Sequence, residues 1–109
     1  MTTEDMRVET LRDRLVGVAA RGETITYEQL RDELDLRGDL VPVLRGLSEA
    51  EDDAGRGLLT AVVVRADTGR PGQGWFRLAA GLGRDIADAD RAWRNERARL
   101  QHVHRAGNG

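Results

Sequence analysis

The sequence has no cysteine, and this excludes disulfide bonds, thiolate metal sites and a thiol nucleophile. It has no lysine either, since all 17 basic residues are arginine, and a Walker phosphate loop is therefore excluded. We attribute the arginine bias to a GC-rich bacterial or phage genome. No apolar run approaches the ~20 residues that span a bilayer, and the polar start lacks the apolar core of a signal peptide. We therefore expect a cytoplasmic protein without a membrane partner.

The 109 residues fit one domain, and the first of its elements is a helix. Apolar residues recur at helical spacing from Thr3 to Ala20, acids lie in the first turn, and Gly22 follows as a stop. This pattern predicts a first helix with those bounds.

A capping box predicts where the second helix begins. Thr26 and Gln29 stand three residues apart, as the box requires, and the helix should run from Tyr27 to about Leu34. The short β-branched segment 23–26 before it suits a single strand-like pairing.

A third helix is expected from Leu40 to about Ala54. Asp39 is its predicted N-cap, Pro42 falls in its first turn, and Gly38 supplies the turn before it. A helix, a short glycine-containing turn and a second helix form the helix-turn-helix arrangement.

The second half of the chain is predicted to form a hairpin and then a long helix. Residues 58–65 are a nearly continuous apolar run, β-branched at Thr60 and at 62–64, that predicts a strand, and residues 75–79 are its expected partner. The loop between them, residues 66–74, is rich in glycine and should project beyond the sheet as a wing. From Asp85 to about His104 helical spacing returns, with arginines over most of one side.

This order of elements resembles that of the winged helix-turn-helix superfamily over roughly residues 3–80. The segments ITYEQLRDEL and AVVVRADTGRPGQGWFRL also look like the DNA-binding half of alkyltransferase-like proteins. That family's PCHR-type active-site segment has no counterpart here, so this second resemblance implies a shared architecture without alkyl-transfer chemistry.

We therefore expect an α+β fold, a winged helix-turn-helix with a short β-hairpin wing and a long C-terminal helix. Residues 1–83 would form the winged-helix domain. Residues 84–105 would form a helix that packs on that domain or dimerises, and residues 106–109 would form a frayed tail.

No residue set predicts an enzyme, a metal site or a cofactor. Ser48 is the only serine, has no histidine near it in sequence and is expected to face solvent. His102 and His104 are two residues apart, so one helix turns them about 200° from each other, and both are expected to be exposed. We name no catalytic or metal-binding residue.

Charge is distributed unevenly along the chain, and two hypotheses follow. Residues 22–55 carry three arginines against ten acids, a balance of −7, whereas residues 56–84 carry five arginines against one acid, a balance of +4. The first hypothesis is a small regulator of transcription that binds double-stranded DNA through arginines of the wing and of the final helix. Its predicted DNA-binding residues are Arg45, Arg65, Arg70, Arg77, Gly69 and Gly72. The alternative is that the arginines form an ordinary solvated surface and that the glycines serve only the turn.

The second hypothesis is a protein-interaction module. In that case the acidic third helix, with Glu49, Asp52 and Asp53, would dock a basic protein partner. Charge favours this hypothesis and the resemblance favours the first.

A heptad-like spacing in the final helix predicts a homodimer interface. Ile86, Trp93 and Leu100 recur every seven residues, and Glu96 falls in the second series of the same seam. The alternative is that this stripe folds back on the first helix of its own chain.

Overall fold

The computed structural model describes residues 3–35 and 40–107, and the side chains of residues 8–35 and 40–105. The fold is mixed α+β and mostly helical, with a small parallel sheet. Its elements are α1 (Thr3–Ala20), β1 (Ile25–Thr26), α2 (Tyr27–Leu34), α3 (Val41–Asp53), a 3₁₀ helix (Leu59–Val62), β2 (Val63–Val64), α4 (Gln73–Gly81) and α5 (Ala89–Gly107).

Helix α1 has the predicted bounds, and it ends in a Schellman motif. The backbone N–H of Glu23 donates to the carbonyl of Val18 at 3.1 Å, across Gly22 at φ 69°. Helices α3 and α4 end in the same way, at Gly55 and Gly83. A left-handed residue at each of these ends lets the chain reverse without leaving the last carbonyls unpaired.

The capping box of α2 is confirmed. The hydroxyl of Thr26 accepts from the backbone N–H of Gln29 at 3.1 Å, and the Gln29 side chain accepts from the N–H of Thr26 at 3.0 Å. The predicted short strand pairing before α2 is also present, since β1 pairs in parallel with β2 in the register Ile25 to Val63.

Helix α3 is slightly shorter than predicted. It starts after Leu40, which stands at the N-cap position without a side-chain cap, and Pro42 lies in its first turn. The predicted cap Asp39 and turn residue Gly38 lie outside the described residues.

The predicted strand over residues 58–65 is largely wrong, because side chains bind its backbone in place of a strand partner. The N–H of Leu58 donates to the Glu96 carboxylate at 2.8 Å, and the N–H of Thr60 donates to the Ser48 hydroxyl at 3.3 Å. The Ala61 carbonyl accepts from the Trp93 indole at 2.7 Å. Residues 59–62 therefore form a 3₁₀ turn, and only two residues remain extended.

The predicted hairpin wing is wrong as well, because its second strand is helical. Residues 73–81 form α4, which starts after Pro71 and Gly72 and buries Trp75 and Ala79. Leu78 and Leu82 lie beside them, so apolar residues follow the spacing of a helix rather than that of a strand. The loop 65–72 consequently joins β2 to a helix.

The core surrounds residues 58–64. These are all at most 7% exposed, and α1, α3 and α5 pack against the 3₁₀ turn that they contain. Of the apolar residues that the helix and strand patterns place inside, Leu30, Leu44, Leu47 and Val63 are buried and Phe76 is half-buried. Burial on all sides explains why the run 58–64 shows no alternation.

Candidate nucleic-acid interface

Among the described side chains, the largest group of arginines without an ion-pair partner lies on the outward face of α5. Arg91, Arg94 and Arg105 are exposed, and none has an ion-pair or side-chain hydrogen-bond partner within residues 8–35 and 40–105. Asn95, Ala98 and His102 lie exposed on the same face. Helical spacing of three and four residues brings these six positions into one stripe.

The two acids of α5 do not offset this charge, because other elements neutralise them. Asp90 forms an ion pair with Arg70. Glu96 is 5% exposed and binds Arg84, whose Nε lies 3.1 Å from Oε1. Charge-assisted hydrogen bonding to Glu96 raises the pKa of Arg84, and burial opposes that rise.

Two further arginines fix α5 on the fold. Arg97 donates to the Gly22 carbonyl at 3.1 Å and its guanidinium lies 5.1 Å from the centre of the Trp93 ring. Arg99 donates to the Gly55 carbonyl at 3.1 Å. Each therefore binds the turn that ends a neighbouring helix, α1 or α3, and the outward arginines are held on a fixed support.

The two loop arginines that were predicted to contact DNA, Arg65 and Arg70, both form ion pairs with acids of this chain. Arg65 binds Asp67 through two hydrogen bonds of 3.0 and 2.8 Å. Arg70 pairs with Asp90 and lies 5.9 Å from the centre of the Phe76 ring. The loop therefore presents little free positive charge.

The predicted loop glycines have structural positions. Gly69 has φ 67° and donates to the Arg65 carbonyl at 2.8 Å, which closes the turn. Gly72 precedes the first residue of α4.

A groove of about 490 Å³ between α3 and α4 brings together several other predicted residues. Arg45, Glu49, Gly72 and Arg77 line it, but Arg45 is paired with Glu49 at 3.0 Å. Arg77 is exposed and has no partner among the described side chains. The residues predicted from the sequence to bind DNA are thus divided between this groove and the loop, and none of them lies on the outward face of α5.

Two aromatic residues also line the groove, Tyr27 and Trp75. Burial raises the pKa of Tyr27, with a smaller opposing effect from Arg65. The indole N–H of Trp75 is buried and has no acceptor within the described part of the chain.

The acids predicted to dock a basic partner are largely used within the fold. Glu49 pairs with Arg45, and Asp52 pairs with Arg84 at 2.6 Å. Asp53 remains exposed at the end of α3. A single free carboxylate gives little support to a docking surface for a basic protein.

The residues predicted to form a dimer interface lie largely within the fold. Leu100 is 0% exposed, and Trp93 and Ile86 are half-buried against the core. Ile86 precedes the first residue of α5, so the seven-residue series is not continuous on one helix. Leu100 therefore offers no surface to a second copy.

Two buried carboxylates were not predicted from the sequence, and two other side chains were predicted wrongly. Glu51, 1% exposed, binds Arg12 at 2.7 Å and Arg56 at 2.6 Å, and Glu96 is held as described above. Ser48 does not face solvent but lies buried 2.5 Å from the Thr60 hydroxyl. His104 is buried rather than exposed. The sequence offered only their spacing as an indication, since Glu51 follows Leu47 by four residues and Glu96 falls in the second series of the α5 seam.

Within residues 3–35 and 40–107, no group of three or more metal-ligating side chains is close enough to hold an ion. No helix in those ranges is long and apolar enough to cross a membrane. Comparison of the chain with protein-family models, with curated proteins and with solved structures gives no match.

Proposed function

We propose that the chain binds double-stranded DNA through the outward face of α5. The observation that supports this most directly is the set of three unpaired arginines, Arg91, Arg94 and Arg105. The exposed acid nearest to them along the same stripe, Asp88, accepts a hydrogen bond from the backbone N–H of Arg91. Phosphate contacts by basic side chains supply a large share of the affinity of proteins for duplex DNA, because each contact releases condensed counterions.

We also propose that the order α1, β1, α2, α3, β2 is a winged-helix core in which the hairpin wing is replaced by a loop and helix α4. The binding proposal does not depend on a wing. Helix α3, the recognition helix of such folds, carries only Arg45 as a base, and that arginine is paired with Glu49. A role in transcriptional regulation would be one use of such binding.

The test is a titration of a mixed-sequence DNA duplex, followed by fluorescence anisotropy at several salt concentrations. Replacing Arg91, Arg94 and Arg105 together by alanine should weaken binding and reduce the slope of log K against log salt by roughly 0.9 for each phosphate that is no longer neutralised. The matched control replaces Arg31, Arg45 and Arg77, which changes the net charge by the same amount on α2, α3 and α4. The control should keep the wild-type slope.

Two results would contradict the proposal. A wild-type chain that binds no duplex at low salt does not have this function. Loss of binding in the control variant with retention in the α5 variant would move the interface to the groove between α3 and α4.

A further inference from the structure

We infer that α5 lies lengthwise in the major groove of B-form DNA, with Ala98 against the edges of the bases. This inference rests on the proposed function and specifies how the same face meets its ligand. The alternative within that function is a helix that crosses the outside of the duplex and contacts phosphates alone.

The shape of the α5 surface supports close approach at Ala98. Two adjoining depressions, of about 190 and 530 Å³, share Ala98 and Gln101 as lining residues. Ala98 has the smallest side chain that the two depressions share, and Arg94, His102 and Arg105, with longer side chains, line one or the other. A helix with a small side chain at the point of contact can bring its backbone close to a partner surface.

The polar groups beside Ala98 suit the edges of bases. Asn95 and His102 stand three residues before and four residues after it, and both are exposed. An asparagine amide can donate and accept at once, which matches N6 and N7 of adenine in the major groove. The minor groove offers no such distinct pattern, so this chemistry favours the major groove.

The dimensions are also consistent with this placement. Arg91 and Arg105 are 14 residues apart, about 21 Å along a helix, and a helix is about as wide as the ~12 Å major groove. Arginines at both ends of the stripe would then reach phosphates while the centre meets bases. Glu23 is the one acid that lines the two depressions, and it is paired with Arg21.

A substitution that enlarges the side chain at Ala98 without changing charge tests the inference. Ala98→Leu should weaken binding to the mixed-sequence duplex by about tenfold and leave the salt slope unchanged, because the helix is held away from the bases while its arginines still reach phosphates. Ala50→Leu, at an exposed position on α3, is the matched control and should bind as the wild type does. Thermal melting followed by circular dichroism verifies that both variants fold.

A second measurement uses the unchanged protein. A duplex in which 7-deazapurines replace adenine and guanine lacks the N7 acceptors of the major groove but keeps its phosphates and its minor groove. We expect weaker binding to this duplex than to the unmodified one. Equal affinity for the two duplexes, or wild-type affinity in Ala98→Leu, overturns the major-groove placement while leaving the proposed function intact. A wild-type chain that binds no duplex overturns both.

Discussion

Two buried carboxylates, Glu51 and Glu96, help to determine which arginines of this molecule lack an ion-pair partner. Glu96 binds Arg84 and the N–H of Leu58, and Glu51 binds Arg12 and Arg56, so both acids are satisfied inside the fold. Burying a charge is tolerated only with such partners, because desolvation costs several kcal/mol per ion. As a consequence Glu96 does not neutralise the arginines on the outward face of its own helix.

Another buried titratable group gives a prediction about pH. Burial lowers the pKa of His104, and Arg12 and Arg56 act in the same direction while Glu51 opposes them. The folded state therefore holds fewer protons than the unfolded state at pH values just below the ordinary histidine pKa of about 6.5. The free energy of unfolding should be fully retained above that value and should fall as the pH decreases below it.

Urea unfolding at pH 7.5 and 5.5 measures this difference. His104→Gln should reduce it, since the variant has no imidazole to protonate on unfolding. His102→Gln removes the exposed imidazole of the same helix and keeps the wild-type difference if His104 is its source. An unchanged difference in His104→Gln would assign the pH dependence to other groups.

At the scale of elements, local patterns predicted α1, α2 and α3, whereas the predicted hairpin was wrong because its first strand binds side chains that are distant in sequence. The capping box at Thr26 and the stop at Gly22 act within a few residues, so the sequence displays them directly. Residues 58–61 take their hydrogen-bond partners from Ser48, Trp93 and Glu96, which are up to 38 residues away. No window of the sequence contains that information.

The helix α4 was missed for a different reason. The predicted strand 75–79 ended before Leu82, and the helical spacing of Trp75, Leu78, Ala79 and Leu82 becomes visible only when that residue is included.

The candidate site was predicted in outline only. The sequence indicated that arginines cover one side of the final helix, but the residues named for DNA contact lay in the loop and in α3 and α4. Which arginines are free depends on their ion pairs, as with Arg70 and Asp90. Such pairs depend on tertiary structure, so composition alone does not reveal them.

The turn that follows α3 supplies a prediction at this scale. Gly55 and Gly57 both have positive φ, 76° and 98°, so alanine is strained at either position. A Cβ at Gly55 would meet nothing within 4 Å, whereas one at Gly57 would lie 2.9 Å from Oε2 of Glu96 and 3.3 Å from Leu100. Gly57→Ala should therefore destabilise the fold more than Gly55→Ala.

Chemical unfolding of the two variants measures the contact with α5 together with the backbone strain, which is larger at φ 98° than at φ 76° because the first lies further from the left-handed region. We expect Gly55→Ala to cost about 1 kcal/mol. Equal losses of unfolding free energy in the two variants would mean that α5 shifts to make room for the added methyl group. The hydrogen bonds of Glu96 to Arg84 and to Leu58 argue against such a shift.

At the scale of the whole molecule, opposite charges occupy different elements although the net charge is only −2. Helix α2 exposes Glu28, Asp32 and Glu33, of which Glu33 is paired with Arg14, whereas α5 carries five arginines and two internally paired acids. An acidic overall charge therefore does not argue against a local nucleic-acid interface, because screening over ~8–10 Å weakens repulsion from acids on other elements.

Trp93 connects this charge distribution with the oligomeric state. Its indole donates to Ala61 and its ring lies under Arg97, so the side chain that would centre a dimer interface already has partners in its own chain. With Leu100 buried beside it, we expect the wild type to sediment as a monomer at micromolar concentrations.

Trp93→Ala should also be monomeric and should lose about 3 kcal/mol of stability, the lower end of the range for truncating a tryptophan, since this ring is half-buried. Trp93→Phe is the control that retains most of the packing and loses only the hydrogen bond, at about 1 kcal/mol. A wild-type dimer that Trp93→Ala converts to a monomer would instead restore the interface predicted from the seven-residue spacing, and the outward arginines of two α5 helices would then have to serve one duplex together.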